Sequence, residues 1–172
     1  MQLSAEPQAI LIHQLALCVF FAMAVYAALN DAASFKIPNF VSLVMVALFP
    51  LHVWTSPVAV AWLHDLAVGA LVFASGLVMF ARGLMGGGDV KFISAVALWA
   101  GPGLILPFLM IMGLAGGVLA IGVLLYQSAG RLRVEGPWCL IDAMRADDLP
   151  KIPYGIAIAA GATYVGVQLL TG

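Results

Sequence analysis

The sequence contains little charge. Only 9% of its 172 residues are charged, whereas 64% are hydrophobic, and the mean hydropathy is +1.10. A soluble domain of this length cannot bury so much apolar surface, so the composition indicates an integral membrane protein whose main solvent is lipid. The net charge of −1 provides no basic field, and we therefore expect no nucleic-acid partner.

Cysteine is almost absent as well, and its scarcity excludes further classes of protein. Cys18 and Cys139 are far apart and form neither a disulfide framework nor a C-x-x-C pair for metal or redox chemistry. The histidines have no ligand spacing, so no metal site is predicted. The residues before the first apolar run lack the positive charge of a cleavable signal peptide, and we expect this run to be retained.

The apolar runs predict an all-α membrane protein with six transmembrane helices in one domain, residues 1–172. A span needs about 20 apolar residues, and the approximate boundaries are 10–29, 38–54, 58–80, 90–100, 104–126 and 153–170. The fourth run is short and is stopped by Gly101–Gly103. We expect it either to continue past this kink or to begin in a hydrated cavity lined by protein.

Positive charge is missing from one side of this predicted topology. All seven Lys and Arg residues fall in the connections 30–37, 81–91 and 127–152. Because Lys and Arg concentrate in cytosolic loops, the distribution places these connections in the cytosol and both termini outside. If the number of spans were wrong by one, the positive charges would be distributed over both sides of the membrane.

Two acidic residues stand at the cytosolic ends of predicted spans. Asp31 ends the first span and Asp89 opens the fourth, so both carboxylates are expected at one membrane depth on different helices. Two carboxylates brought close cannot both be ionised at low cost, so one of them holds a proton. Such a pair can hydrolyse a bond, because the ionised member deprotonates water while the protonated member polarises a carbonyl group.

Simpler explanations exist for these acids. Asp89 follows a glycine turn and is suited to cap a helix, whereas Asp31 lies at a helix C-terminus, where the helix dipole disfavours an anion. Asp65, in the third span, is expected to make a structural polar contact. The alternative function is a small transporter or channel in which Asp31 and Asp89 handle protons or cations. A non-catalytic assembly subunit would need neither acid.

The neighbours of the two aspartates leave similar choices open. A backbone without side chains can lie against an extended peptide, yet the glycines alone favour an ordinary flexible turn; these are Gly86, Gly87 and Gly88. Pro38 is expected in the first turn of a helix, and Asn39 either fixes that turn or borders the site. Lys91 either stabilises negative charge near the aspartates or anchors its span at the interface.

Pairs of small residues four positions apart predict close helix packing. These pairs are Gly113/Gly117, Ala157/Gly161 and Ala162/Gly166. Contacts between helices of one chain are the favoured interpretation, and an interface between two copies is the alternative.

Three segments resemble the type IV prepilin peptidases, which are GxGD-type intramembrane aspartic proteases. Residues 31–39 read DAASFKIPN, residues 86–91 read GGGDVK, and KIPYGIAIAAG at 151–161 is similar to the opening of the family's final span. G-x-G-D alone is a weak signal, but its combination with Asp-x5-Ile-Pro-Asn at a second cytosolic helix end is specific. The short chain looks most like the tight-adherence (Flp) pilus branch.

The resemblance implies that Asp31 and Asp89 are the catalytic pair. It further implies removal of the basic leader of a prepilin or pseudopilin after a glycine, at the cytosolic face of the bacterial inner membrane, without a metal or organic cofactor. The residues that match the two motifs around this pair are Gly86, Gly87, Gly88, Lys91, Pro38 and Asn39.

The same resemblance implies limits to the function. The longer, bifunctional branch has a cysteine-rich cytosolic region and methylates its product, and without a C-x-x-C pair no methyltransferase activity is expected here. Relatives often carry several basic residues before IPN, where this chain has only Lys36, and leader recognition at this loop is left open. The expected partners are the substrate and the bilayer, and homo-oligomerisation is left open.

Overall fold

The computed structural model describes residues 7–132 and 153–171, and all regular structure within them is α-helical. The helices are α1 (Pro7–Ser34), α2 (Asn39–Thr55), α3 (Trp62–Ala81), α4 (Gly87–Leu132) and α5 (Tyr154–Thr171). The predicted all-α class is confirmed. Most of the third predicted cytosolic connection lies outside the described residues.

Four helices are long and apolar enough to cross a membrane. They are α1, α3, the stretch Gly87–Leu125 of α4, and α5, whereas α2 is apolar but shorter. The protein is therefore a helical membrane protein, and the count of six spans and their orientation stay predictions. The third predicted span, 58–80, begins too early. Residues 56–61 are not helical, and α3 begins at Trp62.

Helix α4 is broken at Gly101, at the start of the predicted stop. Gly101 has φ 55° and ψ −170°, and Pro102 follows it. A side chain at Gly101 would overlap the carboxylate of Asp65, which lies in the first turn of α3. Only glycine accepts this backbone conformation without strain and leaves room for the carboxylate. The break divides α4 into α4a (residues 87–100) and α4b (residues 102–132).

Close contacts show that the chain reverses direction at this break. Gly69 and Gly76 of α3 lie against Leu98 and Val90, so α3 and α4a are antiparallel. Side chains of α4a also bond α2 in parallel register, and α2 is antiparallel to α1 through ring contacts at both ends. Helix α5 runs antiparallel to both α1 and α4b through its glycine contacts. Hence α4a and α4b run in opposite directions.

Segment α4a forms the centre of the bundle. Every residue from 92 to 101 is buried. Trp99 donates a hydrogen bond of 3.0 Å from Nε1 to the carbonyl oxygen of Met45 in α2, and its ring lies 4.8 Å from that of Phe20 in α1. Helix α3 is peripheral, since its only buried residues are Gly69 and Gly76.

The small-residue pairs differ in what they do. The predicted close packing is confirmed in α5, where a Cβ on Gly161 or Gly166 would meet the ring of Phe108 or Phe21 at 2.5–2.7 Å. It is wrong for Gly113/Gly117, since no described atom lies within 4 Å of a Cβ placed on either residue. The reason is that α4b turns this face away from α5.

Candidate active site

Asp31 lies in the last turn of α1 and is 5% exposed. Its Oδ2 accepts a hydrogen bond of 2.6 Å from the backbone N–H of Gly155, in the first turn of α5. The amides at a helix N-terminus have no partner within the helix and attract anions. The N-terminus of α5 thus compensates for the unfavourable dipole of α1, and a hydrogen bond fixes the Asp31 carboxylate in place.

Gly155 is close to Asp31 because it has no side chain. A Cβ on Gly155 would lie 2.7 Å from the Cβ of Asp31 and 2.8 Å from its Oδ2. Such distances are shorter than van der Waals contact, so any other residue would displace the start of α5 and stretch the hydrogen bond. The family resemblance includes this segment, but the sequence alone gives no reason for a glycine at position 155.

Asp89 lies in the first turn of α4, and its side chain is half-buried. The carboxylate lies beside Gly86, since a Cβ placed on Gly86 would be 2.9 Å from its Oδ2, and the N–H of Val90 donates to the carbonyl oxygen of Gly86 at 3.1 Å. This reach from the third helical position back to the cap resembles a capping box. Asp89 thus lies inside the first turn of the helix and not at the N-cap position that the capping explanation gave it.

The two aspartates lie at the same end of the bundle, although α1 and α4 are far apart in sequence. Ile37, shortly after Asp31, lies 3.1 Å through its carbonyl oxygen from the Cβ position of Gly88, which directly precedes Asp89. Asp31 accepts its hydrogen bond from a backbone amide at the start of α5, and Asp89 itself lies in the first turn of α4. A backbone amide is a rigidly placed donor, so it holds the Asp31 carboxylate without the freedom of a side-chain donor.

The three glycines before Asp89 each lie close to a neighbouring residue, although Gly86 is exposed and the other two are half-buried. A Cβ on Gly87 would lie 3.3 Å from the ring of Phe80 at the end of α3, and a Cβ on Gly88 would lie 3.1 Å from the carbonyl oxygen of Ile37. A Cβ on Gly86 would lie 2.9 Å from Oδ2 of Asp89. The glycines therefore permit close approach of the chain to three neighbours.

The remaining predicted residues join α2 to α4. Nζ of Lys91 donates a hydrogen bond of 3.0 Å to Oδ1 of Asn39, the first residue of α2. Pro38 precedes that residue with an extended backbone, at φ −64° and ψ 136°, so it stands at the N-cap instead of inside the helix. The Lys91–Asn39 bond places both side chains beside the glycine turn.

Residues 18–121 match the model of the type IV leader peptidase family. The match includes Asp31 and Asp89 and covers more than half of the chain. The chain belongs to the type IV leader peptidase family. No curated protein and no solved structure matches the chain.

Membership makes the protein a membrane-bound hydrolase that processes prepilin leaders. The resemblance drawn from the two motifs is confirmed at the level of the family. The described residues contain no group of three or more His, Cys, Asp or Glu side chains arranged to hold a metal ion.

Within the described residues, the buried His13 and His52 and the half-buried Asp65 of the leader peptidase lie at the opposite end of the bundle. The carboxylate of Asp65 lies close to the backbone of Gly101, and the structural polar contact expected for it stays a prediction. The rings of His13 and His52 stack with centroids 5.1 Å apart, and the ring of His52 lies 4.8 Å from that of Trp99. Nδ1 of each histidine has no hydrogen-bond partner in the described part of the chain.

Proposed function

We propose that Asp31 and Asp89 are the catalytic pair of this leader peptidase and act together on one water molecule. The observation that carries the proposal is the place of both carboxylates at one end of the bundle, where the amide of Gly155 bonds Asp31 and Ile37 packs on the glycine next to Asp89. Neither Asp65 nor the histidine pair offers two carboxylates at one place.

The chemistry follows from sharing one proton between the two carboxylates. The ionised member removes a proton from water, and the resulting hydroxide attacks the carbonyl carbon of the scissile peptide bond. The protonated member donates its proton toward the carbonyl oxygen, and a proton then passes to the leaving amine as the C–N bond breaks. The pair titrates as a unit, so the two roles belong to the pair.

The substrate of this reaction is a prepilin with a basic leader and an apolar helix, cut after a glycine. A helical peptide bond has its backbone groups engaged, so the substrate has to be locally extended before water can attack. The resemblance to the Flp branch favours a short Flp-type prepilin. Contact of the substrate with the backbone of Gly86, Gly87 and Gly88 stays a prediction, and their packing supports a role in placing Asp89.

The proposed topology has six spans with both termini outside and the aspartates at the cytosolic face of the inner membrane. The reversal at Gly101 supports it, because α4a and α4b then cross in opposite directions. The confinement of every Lys and Arg residue to three connections supports the orientation. Lys91 and Asn39 would then lie beside the headgroups, close to the leader.

The test is cleavage of a candidate prepilin by the detergent-solubilised enzyme and by its Asp31→Asn and Asp89→Asn variants. Each variant keeps the size of the side chain and loses the ability to exchange a proton. We expect leader removal to fall by about 10²- to 10⁴-fold in both. Asp65→Asn is the matched control, since it changes a carboxylate at the other end, and it should cleave at the parent rate. Unchanged cleavage by either dyad variant would refute the assignment.

A further inference from the structure

The connection between α1 and α2, residues 35–38, touches the supports of both aspartates. The N–H of Phe35 donates a hydrogen bond of 2.8 Å to the backbone carbonyl oxygen of Asp31. Two residues later, the carbonyl oxygen and Cβ of Ile37 lie 3.1 and 3.3 Å from the Cβ position of Gly88. This short connection is thus anchored to Asp31 on one side and packed on the turn that carries Asp89 on the other.

The connection is held in a conformation that its own residues disfavour. Phe35 has φ 52°, in the left-handed region that large side chains rarely adopt. A left-handed residue directly after a helix allows its N–H to bond back to the last turn, and glycine usually occupies that position. A strained residue of this kind persists only where surrounding interactions hold it.

The Asn30 side chain supplies such an interaction. Its Nδ2 donates a hydrogen bond of 2.6 Å to the carbonyl oxygen of Lys36 and one of 3.2 Å to Oγ of Ser34. Oγ of Ser34 in turn donates to the carbonyl oxygen of Asn30 at 2.8 Å. Within the described residues, no other side chain donates a hydrogen bond to the backbone of residues 35–38.

We infer that Asn30 is a positioning residue of the peptidase, whose amide holds the α1–α2 connection and thereby fixes Asp31 relative to Asp89. Asn30 precedes Asp31 directly, so its side chain leaves the helix in another direction and does not reach the reacting atoms. It acts through the connection alone. The inference rests on the proposed function of the two aspartates.

The first experiment measures kcat and KM for prepilin cleavage by folded Asn30→Ala enzyme. A displacement of the carboxylates by about 1 Å is expected to lower kcat by about 10- to 100-fold and to leave KM within 2-fold. Gln14→Ala is the matched control, because it removes an amide from an exposed position of the same helix. It should retain the parent kcat.

A second variant separates positioning from general loss of structure. Phe35→Gly relieves the backbone strain at position 35, because glycine adopts positive φ freely. The connection then keeps its conformation without the Asn30 hydrogen bond. Added to Asn30→Ala, Phe35→Gly should restore most of the lost kcat, although it returns no hydrogen bond. The inference would be overturned if kcat fell only in proportion to the amount of folded protein and if Phe35→Gly did not restore it.

A third measurement does not depend on cleavage. The Cβ positions of residues 37 and 88 are 3.3 Å apart, a few tenths of an ångström closer than in most disulfides, so Ile37→Cys with Gly88→Cys reports whether the connection stays beside the glycine turn. The pair is placed in a chain without Cys18 and Cys139, with and without Asn30→Ala. Slower disulfide formation with Asn30→Ala than with Gln14→Ala is expected, and equal rates would overturn the inference.

The outcomes distinguish the two proposals. If Asp31→Asn or Asp89→Asn cleaves like the parent, or if the parent cleaves no prepilin, the proposed function fails. The disulfide rates then show only whether Asn30 holds the α1–α2 connection in place. If both dyad variants are inactive and Asn30→Ala keeps the kcat of Gln14→Ala, the proposed function stands and the role of Asn30 is refuted.

Discussion

The two ends of the bundle both contain buried ionisable groups, but they treat them differently. At one end, Asp31 accepts a hydrogen bond from the backbone amide of Gly155 at the start of α5, and Asp89 lies in the first turn of α4. At the other, His13 and His52 stack on each other, and Nδ1 of each has no partner in the described part of the chain. Backbone donors fix a charged group in place, whereas stacked rings only fill space. Burial of ionisable groups therefore does not by itself identify the site.

The largest expected effect comes from displacing the backbone donor of Asp31. In Gly155→Ala, the added methyl group would lie 2.7 Å from Cβ of Asp31, so the start of α5 must move away. We expect cleavage per folded enzyme to fall by at least about 100-fold, since a misplaced catalytic group loses that much. The measurement is the initial rate of leader removal.

Gly113→Ala is the control for this substitution. It adds the same methyl group to a helix at a position where no described atom lies within 4 Å, and it should leave the rate unchanged. A Gly155→Ala enzyme that retains more than a third of the parent rate would show that the amide does not hold Asp31.

A second, intermediate effect is expected at the opposite end, on stability rather than on chemistry. Gly101→Ala forces a residue with a Cβ into positive φ and against the carboxylate of Asp65. The free energy of unfolding in detergent should fall by about 1–3 kcal/mol, while the cleavage rate per folded molecule stays near that of the parent. Gly103→Ala, which meets no described atom within 4 Å, should not destabilise. An equal loss in both variants would contradict the role of the break.

The smallest effect is expected from His52→Phe. Phenylalanine keeps an aromatic ring against Trp99 and removes a buried nitrogen without a partner in the described residues. Because no hydrogen bond is lost, the free energy of unfolding should change by less than about 1 kcal/mol, and cleavage should stay within 2-fold. A loss of stability well above that value in a thermal melt would show that the imidazole has a partner after all.

Much of this contrast could be predicted from the sequence. Asp31 and Asp89 stand at the boundaries of apolar runs on the side that carries all the positive charge, so connectivity alone puts them at one end. The stop at Gly101–Gly103 was also visible, because Gly and Pro interrupt a helix. The position of Asp89 in the first turn of a helix also followed from its place after a glycine turn, although the N-cap position did not.

The rest could not be predicted, because it depends on how the helices are rotated about their axes. The amide of Gly155 and the side chain of Asp31 are distant in sequence, and no local pattern marks their bond. The stacking of His13 on His52 is hidden for the same reason. Gly113 and Gly117 have the spacing of a packing motif, yet the rotation of α4b turns them away from the other described helices.

The hydrogen bond from Gly155 to Asp31 also has a consequence for biosynthesis. The ribosome makes the carboxylate of Asp31 early, on the first described helix, and the amide that holds it only with the last one. A nascent chain that has inserted α1 to α4 thus already contains both aspartates but not the donor that fixes the first. Peptidase activity is therefore expected to appear only after α5 has been translated and inserted.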